Sequence, residues 1–329
     1  MPRRSVDIAI ESFPLAVPFR ISRALRRAAD VVCVTLTEDG VAGRGEGRPI
    51  ERYGESCASA HDEIAAIAGD LAAGLDRAGL DAAMRPGAAR NAVDCALWDL
   101  DAKRASTSVW ALAGRARPHA IETAFSLSLD RPSLMAQAAA GAHRHPLVKL
   151  KLGGDGEDVA RIAAVREARP DARLIADANE ALLPQGLPEV VDAALRFRLE
   201  MIEQPLPADR DGELDGIAPP ALFCADESCH TTPDLDRLRG RYGMVNIKLD
   251  KTGGLTEALR LEKAARAHGF KVMVGCMFST SLGIAPAQII AAGADLVDLD
   301  APLYLAADRD SAIAYDGAAM RPALPALWG

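Results

Sequence analysis

Apolar and polar positions along this 329-residue chain follow two rhythms. In the first third, alternation of period two marks strands at Val6–Ser12, Val31–Thr37 and Val41–Glu46, with Glu38-Asp39-Gly40 as a hairpin signal between the last two. The stretch from Pro18 to Arg27 is basic, follows neither period, and reads as a loop. Helical spacing follows over Ser56–Ala73 and Ala88–Arg104, the second carrying Val93, Ala96, Leu97 and Leu100 on one face, with Pro86-Gly87 as the break between them. Residues 1–115 thus read as an α+β capping domain.

From Ile121 the pattern becomes repetitive. Short apolar strands are predicted at Ile121–Leu129, Leu147–Leu152, Arg173–Ala178, Glu200–Pro205, Leu222–Glu227, Met244–Leu249, Lys271–Met277 and Ala294–Leu299. The segments between them can each form one helix, such as Asp158–Ala168, Leu187–Arg198, Asp234–Gly240 and Thr256–His268. Polar residues near the strand ends (Lys151, Asp177, Glu203, Asp226, Lys248, Cys276, Asp298) recur every 22–28 positions. Strand and helix alternating at that period give parallel βαβ units, and eight strands give a closed barrel. No GxGxxG follows a strand, which sets aside an open dinucleotide-binding sheet. No clear helix follows Asp300, so the fold class is α/β: a (β/α)7β TIM-type barrel over 116–310, with the tail 311–329 returning towards the capping domain.

Composition narrows the function classes. Charged residues make up 26% and the net charge is −8, which argues against nucleic acid as the main ligand. The six cysteines show no CxxC pairing and read as reduced thiols. No apolar leader core follows Met1-Pro-Arg-Arg and no run is long enough to cross a bilayer, so a cytoplasmic protein with no membrane partner is expected. A symmetric homo-oligomer is the default assembly.

The strand-end residues carry the chemistry. Side chains at the C-terminal ends of barrel strands converge on one site. Asp177, Glu203 and Asp226 end three successive strands. Three carboxylates packed together repel and need a cation to stay ionised, unless each is taken by a separate salt bridge. All-oxygen ligation suits Mg²⁺ or Mn²⁺, one per subunit. Lys151 and Lys248 lie on opposite sides of the acids, as proton abstraction beside a carboxylate requires: one lysine removes the α-proton and the other protonates the opposite face. An amine working as a base at neutral pH needs a lowered pKa, and Lys149, on the same strand face as Lys151, pushes it that way. Asp298 and Asp300 share one face, clear of the metal set, and suit a substrate ammonium group. A Schiff-base lysine enzyme and a non-catalytic barrel are the readings from other classes.

These residues resemble the enolase superfamily, its muconate-lactonising subgroup, and most closely the bacterial dipeptide epimerases acting on L-Ala-D/L-Glu. The resemblance spans essentially the whole chain. It is carried by Arg52-Tyr-Gly-Glu-Ser56, Val148-Lys-Leu-Lys151, Asp177-Ala-Asn179, Glu203-Gln-Pro205, Ala225-Asp-Glu-Ser228, Asn246-Ile-Lys-Leu-Asp-Lys-Thr-Gly-Gly254 and Asp298-Leu-Asp300. It implies a Mg²⁺-dependent two-base epimerase of dipeptides, fitting the recycling of cell-wall peptides. It further implies that Lys149 meets the substrate carboxylate, that Ser126 and Cys276 lie against the dipeptide, and that Arg23, with Arg26 as competitor, meets the glutamate side chain. The superfamily's other lysine enzymes, namely cycloisomerases, o-succinylbenzoate synthases and N-acylamino-acid racemases, are the nearest alternatives. The histidine that the mandelate-racemase branch carries on the seventh strand has no counterpart in Met273-Val-Gly-Cys-Met277.

Overall fold

The computed structural model describes residues 4–116 and 120–329. The expected boundary between 115 and 116 thus lies one residue before a stretch, 117–119, outside the described residues. An antiparallel sheet opens the chain: β1 (Ser5–Ile21), β2 (Ala24–Glu38) and β3 (Val41–Gly47), in that order. The expected loop at Pro18–Arg27 is instead the tip of the β1–β2 hairpin, turning at Ser22-Arg23. Two prolines, Pro14 and Pro18, bracket a register shift between Pro14 and Phe19, which hides the strand period from the sequence. The predicted helix Ser56–Ala73 breaks at Ile67 into Cys57–Ala66 and Ala68–Ala72.

Helix Ala88–Arg104 lies directly on β3. Gly43, Gly45 and Gly47 share one face of that strand, and a Cβ at any of them would run into the backbone oxygens of Ala96, Ala92 and Ala88. Val32, Val34, Leu36, Ile64, Leu97 and Leu100 fill the core between sheet and helices.

A short strand β4 (Ile121–Glu122) precedes eight parallel strands: β5 (Phe125–Leu127), β6 (Leu147–Lys151), β7 (Arg173–Asp177), β8 (Leu199–Glu203), β9 (Phe223–Ala225), β10 (Met244–Ile247), β11 (Lys271–Gly275) and β12 (Leu296–Asp298). They are hydrogen-bonded in chain order, and Ala124 N–H donates to Val297 O (2.8 Å) to close the circle. α-Helices make most crossovers, but the one between β8 and β9 contains only 3₁₀ segments, Ala208–Leu214 and Pro220–Leu222. The predicted strand Ile121–Leu129 divides, because β4 pairs with β14 (Ala319–Met320), itself paired with β13 (Tyr315–Asp316). At the chain end, Trp328 Nε1 donates to Cys95 O (3.0 Å) and Gly329 N–H to Asp99 Oδ1 (2.7 Å).

Period-two alternation orders the barrel interior. Leu147, Ile175, Met201, Cys224, Met244 and Leu296 form an apolar floor. Two residues further along, the inward positions are Lys149, Asp177, Glu203, Asp226, Asn246 and Asp298; two further still stand Lys151, Lys248 and Asp300. The chemistry is a polar layer on a greasy floor.

The turn after β10, which carries Lys248, is bound to the capping helix. Arg90 donates to Thr252 O (2.6 Å) and Gly253 O (3.0 Å), and Asp94 accepts from Thr256 N–H (2.9 Å). Asp250 Oδ1 accepts from Arg48 N–H (2.8 Å) and Asn91 Nδ2 (2.7 Å). Burial pushes the Asp250 carboxyl up from 3.8 to about 7, against those two hydrogen bonds. An acid whose native pKa exceeds its unfolded value keeps its proton longer when folded, so stability falls as pH rises between those values. Asp250→Asn is expected to flatten that fall: between about pH 4 and pH 7.5 the wild-type melting temperature should drop further than the variant's. Parallel curves in thermal circular dichroism would reject the assignment.

Candidate active site

A cavity of about 350 Å³ opens at the C-terminal end of the barrel strands, under the β1–β2 hairpin tip and residues 48–53. Its lining includes Arg23, Arg26, Ser126, Lys149, Lys151, Asp226, Lys248, Cys276, Asp298 and Asp300. Asp177 and Glu203 lie in the layer beneath, fully buried. All eleven residues singled out from the sequence therefore lie at one end of one barrel.

Their pairing differs from the simplest expectation. Lys149 Nζ contacts Asp298 Oδ2 (2.6 Å), Glu203 Oε2 (2.7 Å) and Asp177 Oδ2 (3.2 Å). Asp298 is therefore not clear of the metal set: Lys149, at the same height in the barrel, ties it to two of the three acids. Lys151 Nζ pairs with Asp177 Oδ2 (2.5 Å) and Lys248 Nζ with Asp226 Oδ2 (2.7 Å). The acids do take salt bridges, and their partners are the barrel lysines. Being four strands apart in an eight-stranded barrel, β6 and β10 put Lys151 and Lys248 on opposite walls.

The electrostatics follow from crowding in a buried layer. Burial pulls Lys149 and Lys248 down, but the facing carboxylates outweigh it: Asp298, Glu203 and Asp177 hold Lys149 well above its ordinary value, and Asp226 with Glu203 does the same for Lys248. Lys248 is thus held up rather than lowered, because carboxylates press on it directly. Burial raises Asp177 and Asp226, yet the lysines beside them hold both below the usual carboxylate range. Glu203 and Glu227 are pushed up to about 7 by burial and by neighbouring acids. At the β12 end the pair divides: Lys149 holds Asp298 down against its burial, whereas burial and Asp298 push Asp300 up to about 7.

Asp177, Glu203 and Asp226 fit a small divalent cation by donor chemistry. Glu203 Oε2 and Asp226 Oδ1 are buried and accept no hydrogen bond, each meeting only a lysine as an ion pair, and Asn179 Oδ1 and Glu227 Oε2 are unpartnered beside them. Among the described residues no three such side chains already stand together as a ligand set.

Ser126 Oγ donates to Asp298 Oδ1 (3.1 Å), Ser126 N–H to Asp300 Oδ2 (2.7 Å), and the Cys276 thiol lies 3.4 Å from Asp298 O. Burial keeps that thiol protonated. Arg23, at the hairpin tip, reaches the barrel: its guanidinium donates to Asn179 O (2.6 Å) and Glu227 Oε1 (2.7 Å). Arg26 stays on the cap, forked onto Glu51 at 2.7 and 2.8 Å.

Sequence reasoning missed several residues here. Lys251 is wholly enclosed; it pairs with Asp226 Oδ1 (2.6 Å) and donates to Cys229 O and Asn246 O. Gln204 Oε1 accepts from Asp226 N–H (3.0 Å) and Ser228 N–H (3.1 Å), fixing the end of β9. Tyr304 donates to Ser126 O (2.6 Å) and contacts Asp300 Oδ2 (2.9 Å). A lysine three residues after Lys248, at the start of a short helix, was a signal for Lys251; Tyr304 left none.

Acids on successive strand ends, flanked by lysines from opposing walls and roofed by a separate sheet, give this barrel a buried, charged site under a cap. Residues 133–314 match the enolase C-terminal domain-like family and residues 3–114 the mandelate racemase / muconate lactonizing enzyme N-terminal domain, so the chain belongs to this branch of the enolase superfamily. It is 44% identical to the L-Ala-D/L-Glu epimerase of Escherichia coli, across 95% of this chain and 98% of that enzyme. It is 41% identical to an N-acetyl-D-glutamate racemase of a Pseudoalteromonas species, across 91% and 95%. An enolase-family protein of Agrobacterium tumefaciens with homology to dipeptide epimerases, solved with sodium and L-Ala-L-Glu, superposes with a TM-score of 0.97 at 47% identity, covering 99% of this chain and 100% of that one. The dipeptide epimerase of Enterococcus faecalis, solved with Mg and L-Leu-L-Tyr, gives 0.90 at 28% identity, covering 98% and 97%. The chain is an isomerase. No helix among its described residues is long and apolar enough to cross a membrane.

Proposed function

We propose that this isomerase inverts the C-terminal residue of L-Ala-D/L-Glu by a two-base 1,1-proton transfer. The observation that carries the reading is the placement of Lys151 and Lys248 on opposite walls of one cavity that Asp298 and Asp300 also line. In one direction Lys151, as the free amine, takes the α-proton while Lys248, as the ammonium, delivers one to the opposite face; in the other direction the roles exchange. Asp177 and Asp226 orient the two Nζ atoms. Asp177, Glu203 and Asp226 would hold Mg²⁺, or Mn²⁺ by the same donor chemistry, and that cation would supply positive charge opposite the substrate carboxylate as the α-carbon loses its proton. Lys149, buried among the acids, adds fixed positive charge there. Asp298 and Asp300 take the α-ammonium, with Ser126 and Cys276 beside them. Arg23 meets the glutamate side chain, since its guanidinium reaches the barrel whereas that of Arg26 remains on Glu51. Residues 1–115 serve as the cap, 116–310 as the barrel and 311–329 as the returning tail.

The relative that racemises N-acetyl-D-glutamate favours a second reading, in which the substrate nitrogen is acylated. Proton NMR in D₂O with Mg²⁺ tests both. L-Ala-L-Glu should lose its Glu α-proton signal while the D-Glu diastereomer appears, and EDTA should stop the change. No exchange with any dipeptide, but exchange with N-acetylglutamate, would transfer the assignment to the second reading.

A further inference from the structure

Three aromatic rings from distant parts of the chain meet beside the Asp298/Asp300 end of the cavity. Phe19 comes from β1, Phe278 from the loop after β11, and Tyr304 from the 3₁₀ segment Ala301–Tyr304 after β12. Their centroids stand 5.1, 5.2 and 5.8 Å apart, all edge to face. Rings in that arrangement are in van der Waals contact and leave no slot for an aliphatic chain between them. The wall is also fixed in place. Arg20 N–H donates to Ser128 Oγ (2.8 Å) and Leu129 N–H to Arg20 O (2.9 Å), while Ala306 N–H donates to Pro14 O (2.8 Å), so the backbone around Phe19 is bound to the barrel. Tyr304 is held through its hydroxyl to Asp300 and Ser126.

We propose that Phe19, Phe278 and Tyr304 set the size limit on the side chain of the ammonium-bearing residue, so that the enzyme takes dipeptides with a small N-terminal residue. The inference rests on the dipeptide reading above. An ammonium group on Asp300 places its own α-carbon one bond away, and the hydroxyl of Tyr304 touches the same carboxylate. A side chain on that carbon therefore meets the rings within its first few atoms. A methyl group fits ahead of the wall; a branched or aromatic side chain must displace one of its rings.

The test is the ratio of kcat/KM for L-Ala-L-Glu to that for L-Leu-L-Glu, a quantity independent of the active fraction. Wild type should favour the alanyl peptide by tenfold or more, the scale on which a shaped apolar pocket discriminates added methylenes. Phe278→Ala, at a half-buried ring, should lower the ratio at least tenfold. Phe19→Leu, milder at a nearly fully buried position, should move it the same way if Phe278→Ala does not fold. A wild type indifferent to the N-terminal residue, or folded variants with an unchanged ratio, would overturn the proposal. Turnover of neither peptide by wild type would instead remove the dipeptide reading, and this inference with it.

Discussion

Lys151→Met and Lys248→Met are each expected to lose inversion by about a thousandfold or more, the upper range for a general acid–base group. The two losses should differ in kind. With one amine left, a variant can still remove and return the α-proton on a single face, so in D₂O it should exchange that proton in one diastereomer and leave the other untouched. The second variant should do the converse. The opposing walls of β6 and β10 require this complementarity, because each lysine sees only one face of the α-carbon. Folding should survive both changes. Asp226 retains Lys251 at 2.6 Å when Lys248 is removed, and Asp177 retains Lys149 at 3.2 Å when Lys151 is removed, so neither buried carboxylate is stranded without a cation. Inversion at the wild-type rate in either variant, or exchange of the same diastereomer in both, would sink the two-base assignment.

The parts of this site legible in the sequence were those that repetition writes down. A strand that alternates in a barrel must present every second residue inward, so the sequence alone puts Lys149 and Lys151 on one face. The same holds for Asp177, Glu203 and Asp226, which end three successive strands at nearly equal spacing. What stayed hidden depends on how separate parts of the chain meet. Arg23 and Asn179 are 156 positions apart, and nothing local announces that the β1–β2 hairpin will lay its tip on the barrel. Prolines in β1 and the arginines around the hairpin tip masked its period and made a strand read as a loop. Lys149 was visible as a residue but not as a bridge: the sequence separates Asp298 from the acids by 72 positions or more, while the closure of the barrel brings β12 round to β5 and next to β6. The phenol of Tyr304 lies in an unremarkable Ala-Pro-Leu-Tyr run and gains its meaning only from Asp300 and Ser126.

Asp300→Asn is expected to lower kcat/KM for L-Ala-L-Glu by about a hundredfold while leaving N-acetylglutamate, if it is turned over at all, within threefold. The two acids on β12 and just beyond it are not equivalent. Asp298 already faces a full positive charge, Lys149 Nζ at 2.6 Å, and Asp298→Asn would release that lysine onto Asp177 and Glu203 as well as alter the substrate site. Asp300 forms no salt bridge among the described residues: it accepts from Ser126 N–H at 2.7 Å and lies 2.9 Å from the Tyr304 hydroxyl. Burial and Asp298 push its carboxyl up to about 7, so its charge is the one still in want of a cation, the place that the proposed reading gives to the substrate ammonium. Asparagine keeps the shape and an oxygen for Ser126 and Tyr304 but removes that charge. Truncating one side of a buried, hydrogen-bonded charge pair costs about 2–5 kcal/mol, which brackets a hundredfold. An acylated nitrogen carries no charge and makes no such demand. The ratio between the two substrates therefore reads the charge at Asp300 alone: equal losses on both would mean that it shapes the site, and no loss on the dipeptide would mean that the ammonium binds elsewhere.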